Sequence, residues 1–142
     1  MRVRVRHNFL ELAKDGHVHP GLQASADYYV LQADDENYRV VNRRGEPVLY
    51  PKELFEVVDR AVPSGWQFRE YGDGEYFLEP SALGRPGFYE EWFGSDGDRP
   101  AQQAARSLLR EELARSGKVA DEEDRRLIHE ALARLPDEQS TS

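Results

Sequence analysis

Apolar and polar positions change rhythm along this chain, and each change predicts an element. Arg2-Val3-Arg4-Val5-Arg6 alternates with period two, the pattern of a strand with one buried face. Tyr28-Tyr29-Val30-Leu31 and Tyr38-Arg39-Val40-Val41 are strand-like runs separated by the polar turn Asp34-Asp35-Glu36-Asn37. Asn42-Arg43-Arg44-Gly45-Glu46-Pro47 is a second turn, with Gly45 available for positive φ, and Val48-Leu49-Tyr50 resumes the extended run. The β-branched pair in Phe55-Glu56-Val57-Val58 favours one more strand. A helix from Pro51 to Arg60 is the alternative, since proline suits a first helical position.

Alternation returns after Pro63-Ser64-Gly65. Trp66-Gln67-Phe68-Arg69-Glu70-Tyr71 and Glu75-Tyr76-Phe77-Leu78-Glu79, joined by Gly72-Asp73-Gly74, predict a hairpin. Gly87 and Gly94 bracket one or two helical turns. The period then lengthens. Asp98 can cap a helix with Pro100 in its first turn and a stripe of Ala101, Ala104, Ala105, Leu108, Leu109 and Leu113, running to Ser116 and stopping at Gly117. Asp121 caps a second helix whose buried face is Leu127, Ile128, Ala131, Leu132 and Leu135, and Pro136 ends it. The short connection Gly117-Lys118-Val119-Ala120 predicts antiparallel neighbours. Strands first and helices last make the fold class α+β. The chain divides into a β-rich region over 1–60, a hairpin and turn extension over 61–98, a helical hairpin over 99–136 and a disordered polar tail over 137–142.

With 142 residues the chain can bury a core without covalent staples. It has no cysteine, which excludes disulfides, thiolate metal ligands and a cysteine nucleophile together. Mean hydropathy is −0.79, and no run approaches the roughly 18 apolar residues of a membrane span. The arginines at the amino terminus lead into no apolar signal core, so the expected compartment is the cytoplasm. A net charge of −8 argues against nucleic acid, whose phosphates need clustered cations. Neither phosphate-cradling glycine loop nor Gly-x-Ser-x-Gly elbow is present, so the expectation is a protein that is not an enzyme and carries no cofactor.

Three features bear on metal or phosphate chemistry. His17-x-His19 would put both imidazoles on one face of a strand, but zinc needs a third and fourth ligand and only His7 and His129 remain. Two loop histidines beside Pro20 are the simpler reading. Asp96-Gly97-Asp98 suggests calcium but lacks the remaining oxygen ligands of such a loop, so a helix cap fits Asp98 better. Arg2, Arg4 and Arg6 read as a solvated sheet edge. No metal site is expected.

Charge and aromatic content concentrate in residues 61–98, where Arg69 and Arg85 face eight carboxylates and nine of the chain's 15 aromatics gather. Phe68, Tyr76 and Leu78 fit a core-filling role. The remaining aromatics exceed what one side of a hairpin can bury, and aromatic anchors within a charged rim are the composition of a protein-binding surface. The candidate partner-binding residues are therefore Phe88, Tyr89 and Trp92 as anchors, with Asp73, Glu75, Glu90 and Glu91 steering a basic protein partner.

Tyr28-Tyr29-Val30-Leu31, Tyr38-Arg39-Val40-Val41-Asn42, Gly45-Glu46-Pro47-Val48-Leu49-Tyr50-Pro51 and Leu54-Phe55-Glu56-Val57-Val58-Asp59, with Trp66 and Gly87-Phe88-Tyr89-Glu90, resemble a group of small bacterial proteins with an SH3-like barrel, some associated with toxin–immunity loci. The resemblance covers about residues 28–93 and misses the carboxy-terminal helices. Asp15-Gly16-His17-Val18-His19-Pro20 departs from it at the front. It implies a small SH3-like antiparallel barrel over 1–60 and an immunity protein that occludes a basic toxin domain. One alternative is a scaffold or regulatory module whose barrel binds a peptide and whose helices self-associate through Leu108, Leu109 and Leu113. Another is a small carboxylate-dependent hydrolase using an acid pair such as Asp73 and Glu75, which requires a group titrating near neutrality within 73–91.

Overall fold

The structure, a computed structural model, describes residues 1–12 and 21–137; the His17-x-His19 pair and most of the polar tail lie outside the described residues. The strands are β1 (Arg2–Val5), β2 (Asp27–Asp34), β3 (Asn37–Val41), β4 (Pro47–Pro51), β5 (Phe55–Asp59), β6 (Trp66–Tyr71) and β7 (Glu75–Pro80). The helices are α1 (Phe9–Leu12), α2 (Phe88–Phe93), α3 (Arg99–Val119) and α4 (Glu122–Arg134), with single 3-10 turns at Lys52–Leu54 and Ser81–Leu83. This is the mixed α+β architecture that the pattern predicts, and the segment after the Lys52–Leu54 turn is a strand. No helix among the described residues is long and apolar enough to cross a membrane.

All seven strands join one antiparallel sheet, in the order β4-β3-β2-β1-β5, with β7 paired to β2 and β6 to β7. β4 and β5 do not pair, so the sheet is open where a barrel would close. The eight-residue β2 makes this arrangement possible. Its first half pairs with β1 through Asp27, Tyr28 and Tyr29, and its last two residues pair with β7 through Ala33 and Asp34. The Asp34 carboxylate then accepts from the backbone N–H of Glu36 at 2.8 Å and of Asn37 at 2.6 Å, closing the β2–β3 turn.

Each face of the sheet covers its own core. One holds Val3, Val5, Tyr28, Val30, Tyr38, Val40, Tyr50, Leu54 and Phe55, enclosed by the curl of the strands. The other packs Tyr29, Leu31 and Val41 against Phe88, Tyr89 and Trp92 of α2, Ala105, Leu109 and Leu113 of α3, and Leu127, Ile128 and Ala131 of α4. Covered on both faces, β2 reads as a continuous apolar run rather than an alternating one. The second core draws residues from all three of the stretches 1–60, 61–98 and 99–136.

Both long helices start where the sequence predicts. The Asp98 carboxylate accepts from the Ala101 N–H at 3.1 Å, and Asp121 accepts from the Asp124 N–H at 2.8 Å. Asp96 accepts from the Asp98 N–H at 3.1 Å, so both members of the Asp96-Gly97-Asp98 pair are engaged in the capping turn. The expected stop at Gly117 does not occur. α3 continues to Val119, and Gly117 is buried where α4 crosses, so close to Ile128 that an added Cβ would lie 3.4 Å from its methyl. Its lack of a side chain here serves helix packing rather than termination. Each helix also closes the other's carboxy-terminal end. Arg125 donates to the carbonyls of Gly117 at 3.1 Å and Ala120 at 3.0 Å, and Arg110 donates to those of Leu135 at 2.8 Å and Pro136 at 2.9 Å.

The arginines of β1 differ from expectation. β1 lies between β2 and β5, inside the sheet rather than at its edge. Arg2 reaches past the sheet to Asp124 at 2.9 Å, Asp121 at 3.2 Å and Asp59 at 3.7 Å, and Arg4 pairs with Asp27 at 2.6 Å. The three aspartates lie close enough to share an ion, and the Arg2 guanidinium pairs with all three. Leu109 and Leu113 are buried and Leu108 is half-buried against the same core, so the stripe assigned to self-association is spent within the chain.

Candidate functional site

The acidic, aromatic stretch divides into a projecting hairpin and a buried helix. Trp66↔Pro80 through Tyr71↔Glu75 pair in register across β6 and β7, and Asp73 (φ 60) with Gly74 (φ 80) turns the chain between them. β7 meets β2 only at Phe77 and Leu78, and β6 has no second strand partner among the described residues. The tip of the hairpin therefore stands clear of the sheet. Phe68 is 60% exposed and stacks on Tyr76 at 5.4 Å, and Tyr71 is 47% exposed with an edge contact to Phe77 at 5.7 Å. Asp73 and Glu75 are exposed beside them.

Phe68, which the sequence assigns to the core, is thus exposed, whereas the sequence-predicted anchors Phe88, Tyr89 and Trp92 are core residues. Gly87 (φ 80) and Gly94 (φ 75) bracket α2, whose short turn aims Phe88, Tyr89 and Trp92 inward. Their exposures are 1%, 8% and 3%, so none offers a surface to a partner. The correction has a physical cause. Composition counts aromatics but not the area available to cover them, and α3 and α4 supply an apolar face that the hairpin alone lacks. Glu91 is half-buried and held by Arg85 at 2.8 Å, while Glu90 is exposed. The structure thus places Tyr71 directly opposite Glu75 beside the Asp73 turn, puts Phe68 with Tyr76 on the other face of the hairpin, and separates all of them from the three α2 aromatics in the core. As an acid pair, Asp73 and Glu75 stand exposed at the hairpin turn.

Beneath the hairpin lies a cleft of about 380 Å³ that sequence reasoning missed. A bulge in β2 creates it. The pairing with β3 shifts between Val30↔Val40 and Gln32↔Arg39, leaving Leu31 as the extra residue. That insertion interrupts the alternation, so Gln32 follows Leu31 onto the helix side and Ala33 returns to the strand core. Gln32 then meets Arg39 directly across the ladder. The Arg39 Nε donates to Gln32 Oε1 at 2.8 Å and its Nη1 to the Pro47 carbonyl at 2.7 Å, while the guanidinium lies 3.7 Å from the centre of the Tyr89 ring. Gln32 Nε2 donates to Glu79 Oε1 at 3.0 Å. Arg69 and Arg85, the two basic residues of the acidic stretch, line the same cleft. The available signal was a polar residue inside each of two apolar runs, Gln32 in β2 and Arg39 in β3.

Burial raises the Glu79 carboxyl above the usual carboxylate range, against the opposing pull of Arg69, the Gln32 hydrogen bond and Arg39. The folded state therefore holds this proton more tightly than the unfolded chain. Stability contributed by the neutral form is fully present below the unfolded value of about 4.3 and is lost as pH rises through the raised folded value. Glu79→Gln keeps the acceptor for Gln32 and removes the charge. The variant should be more stable than the parent at pH 7, with the difference shrinking towards pH 4 in urea titrations. A variant less stable at pH 7 would mean that Arg39 and Arg69 hold Glu79 ionised.

Comparison of the chain with models of known protein families, with curated proteins and with solved structures finds no match in any of the three.

Proposed function

We propose that this chain is a non-catalytic protein-binding module that engages a cationic protein through the β6–β7 hairpin. The observation that carries the proposal is the pair of large exposed aromatics, Phe68 and Tyr71, on a projecting hairpin whose charges are Arg69 against Glu70, Asp73, Glu75 and Glu79. Exposed aromatic rings pre-ordered by stacking on Tyr76 and by the edge contact with Phe77 lose little freedom when a partner covers them. Carboxylates around them attract a basic surface from a distance. An immunity protein that occludes a basic toxin domain is the specific form implied by the resemblance to SH3-like bacterial proteins. Supporting that resemblance, β1 to β4 form a meander and β5 returns to pair with β1, with a 3-10 turn between β4 and β5.

Affinity capture at low and moderate salt, followed by association kinetics with the captured basic protein, tests this. Glu70→Lys combined with Asp73→Lys and Glu75→Lys should slow association about tenfold or more at low salt, and the difference should shrink as salt rises. Phe68→Ala should act mainly on the dissociation rate. Rates unchanged in both variants would refute the hairpin as the docking surface.

A further inference from the structure

The cleft under the hairpin contains an incompletely satisfied set of donors. Arg39 is half-buried, and among the described residues it forms no ion pair; its two hydrogen bonds go to the neutral oxygens of Gln32 and Pro47. Those bonds and the Tyr89 ring hold the guanidinium in one orientation and leave Nη2 without a hydrogen bond. Tyr89 lines the same cleft, and its hydroxyl is buried with no hydrogen-bond partner. Buried polar groups left without partners carry a desolvation penalty that a ligand can relieve. Arg69 adds a second cation that makes no ion pair among the described residues; its donors are 3.0 and 3.1 Å from the Gln67 side-chain oxygen when that amide is turned to accept. Arg85 is different, because Glu91 already neutralises it.

The remaining lining restricts what such an anion can be. Leu49, Phe77 and Leu83 contribute apolar surface to the lining, and the volume of about 380 Å³ suits a ligand of small-molecule size. Glu79 and Glu90 also line the cleft, which opposes a phosphate or other polyanion. A neutral ligand would offer the unpartnered Nη2 of Arg39 no charged acceptor. A carboxylate is planar, carries one charge and matches the fork of a guanidinium.

We propose that this cleft binds a small amphipathic carboxylate, an aromatic or branched aliphatic acid, with its carboxylate on Arg39 and Arg69 and its apolar body against Leu49, Phe77 and Leu83. The cleft shares Arg69, Tyr71, Phe77 and Glu79 with the docking hairpin, but it binds through a guanidinium fork rather than through steering carboxylates, and a small-molecule probe reads it without a protein partner. Arg39 on its bulge-defined register is the primary contact, and Arg69, which lines the cleft from β6, is the second.

Benzoate is the probe, with benzyl alcohol and inorganic phosphate as comparisons, followed by backbone amide and arginine Nε–H shifts in two-dimensional NMR of the full chain. Benzoate should give saturable shifts at Gln32, Arg39 and the Leu83–Tyr89 segment. It should bind about tenfold more tightly than benzyl alcohol, because only benzoate can form a charge-assisted pair with Arg39 and Arg69. Phosphate should leave these signals in place. Arg69→Gln, at an exposed position, should keep the fold and weaken benzoate about tenfold, and Arg39→Gln should abolish its shifts. The proposal is overturned if benzoate binds no tighter than benzyl alcohol, if phosphate displaces it, or if Arg69→Gln leaves its affinity unchanged.

Discussion

Trp92→Ala should lower the unfolding free energy by about 3–5 kcal/mol, measured by urea denaturation of the purified chain. Against a total of about 5–15 kcal/mol for a domain of ordinary stability, that loss leaves a substantial unfolded fraction. Trp92 is 3% exposed and sits within the core shared by α2, α3 and β2, next to Phe88, Leu109 and Leu31. Truncation removes the ring and leaves a cavity that two long helices cannot collapse into. It also strips Arg106 of its platform. That guanidinium is buried, lies 4.6 Å from the centre of the Trp92 ring and donates to the Trp92 carbonyl at 3.2 Å. The same substitution separates a core role from an anchor role. The folded fraction of Trp92→Ala should bind a basic partner with parental affinity, whereas Phe68→Ala should lose affinity with a stability change of about 1 kcal/mol or less. If Trp92→Ala instead kept its stability and lost binding, the assignment of the α2 aromatics to the core would fail.

Gly45→Ala should cost about 3 kcal/mol or more, equivalent to a fall in Tm of about 10 °C by calorimetry. Two penalties combine at this residue. Gly45 has φ 78, and a Cβ added there would overlap the backbone carbonyl oxygen of Arg134 at the end of α4. A flexible side chain could move aside, but a helix-end carbonyl cannot. The β3–β4 turn is itself held firmly, since the buried Asn42 side chain accepts from the N–H groups of Arg44 at 2.9 Å and Glu46 at 3.1 Å and donates to the Tyr50 hydroxyl at 3.0 Å. Gly74→Ala is the matched control. Gly74 has φ 80, and an added methyl would meet nothing within 4 Å, so it should lose only the conformational part, about 1–2 kcal/mol. Equal losses in the two variants would mean that the turn does not press on α4.

Burial at Trp92 and the seat of Gly45 on α4 mark where local pattern stops being informative. The capped starts of α3 and α4, the β6–β7 hairpin and the strand at Phe55–Asp59 follow from residues within one or two turns of themselves. Gly117 shows the limit. A glycine near a helix end normally reads as a stop, but here the crossing of Ile128 from α4 keeps it helical and buried. Arg2 shows the same limit in charge. Alternation on β1 is local, while the carboxylates of Asp59, Asp121 and Asp124 reach it only because β5 and α4 pack beside it.

By itself the sequence determined the α+β class, the order of the elements and the acidic, aromatic character of residues 61–98, because periodicity, caps and composition are properties of neighbours along the chain. Only the tertiary structure decided which aromatics are exposed, since Phe68 and Tyr71 differ from Phe88 and Trp92 in what covers them and not in kind. It likewise decided the cleft. Gln32, Arg39, Arg69, Glu79 and Tyr89 come from five separate elements, and one extra residue in β2 turns Gln32 towards the rest. A bulge depends on how two strands share hydrogen bonds, and that is settled across the sheet rather than along it.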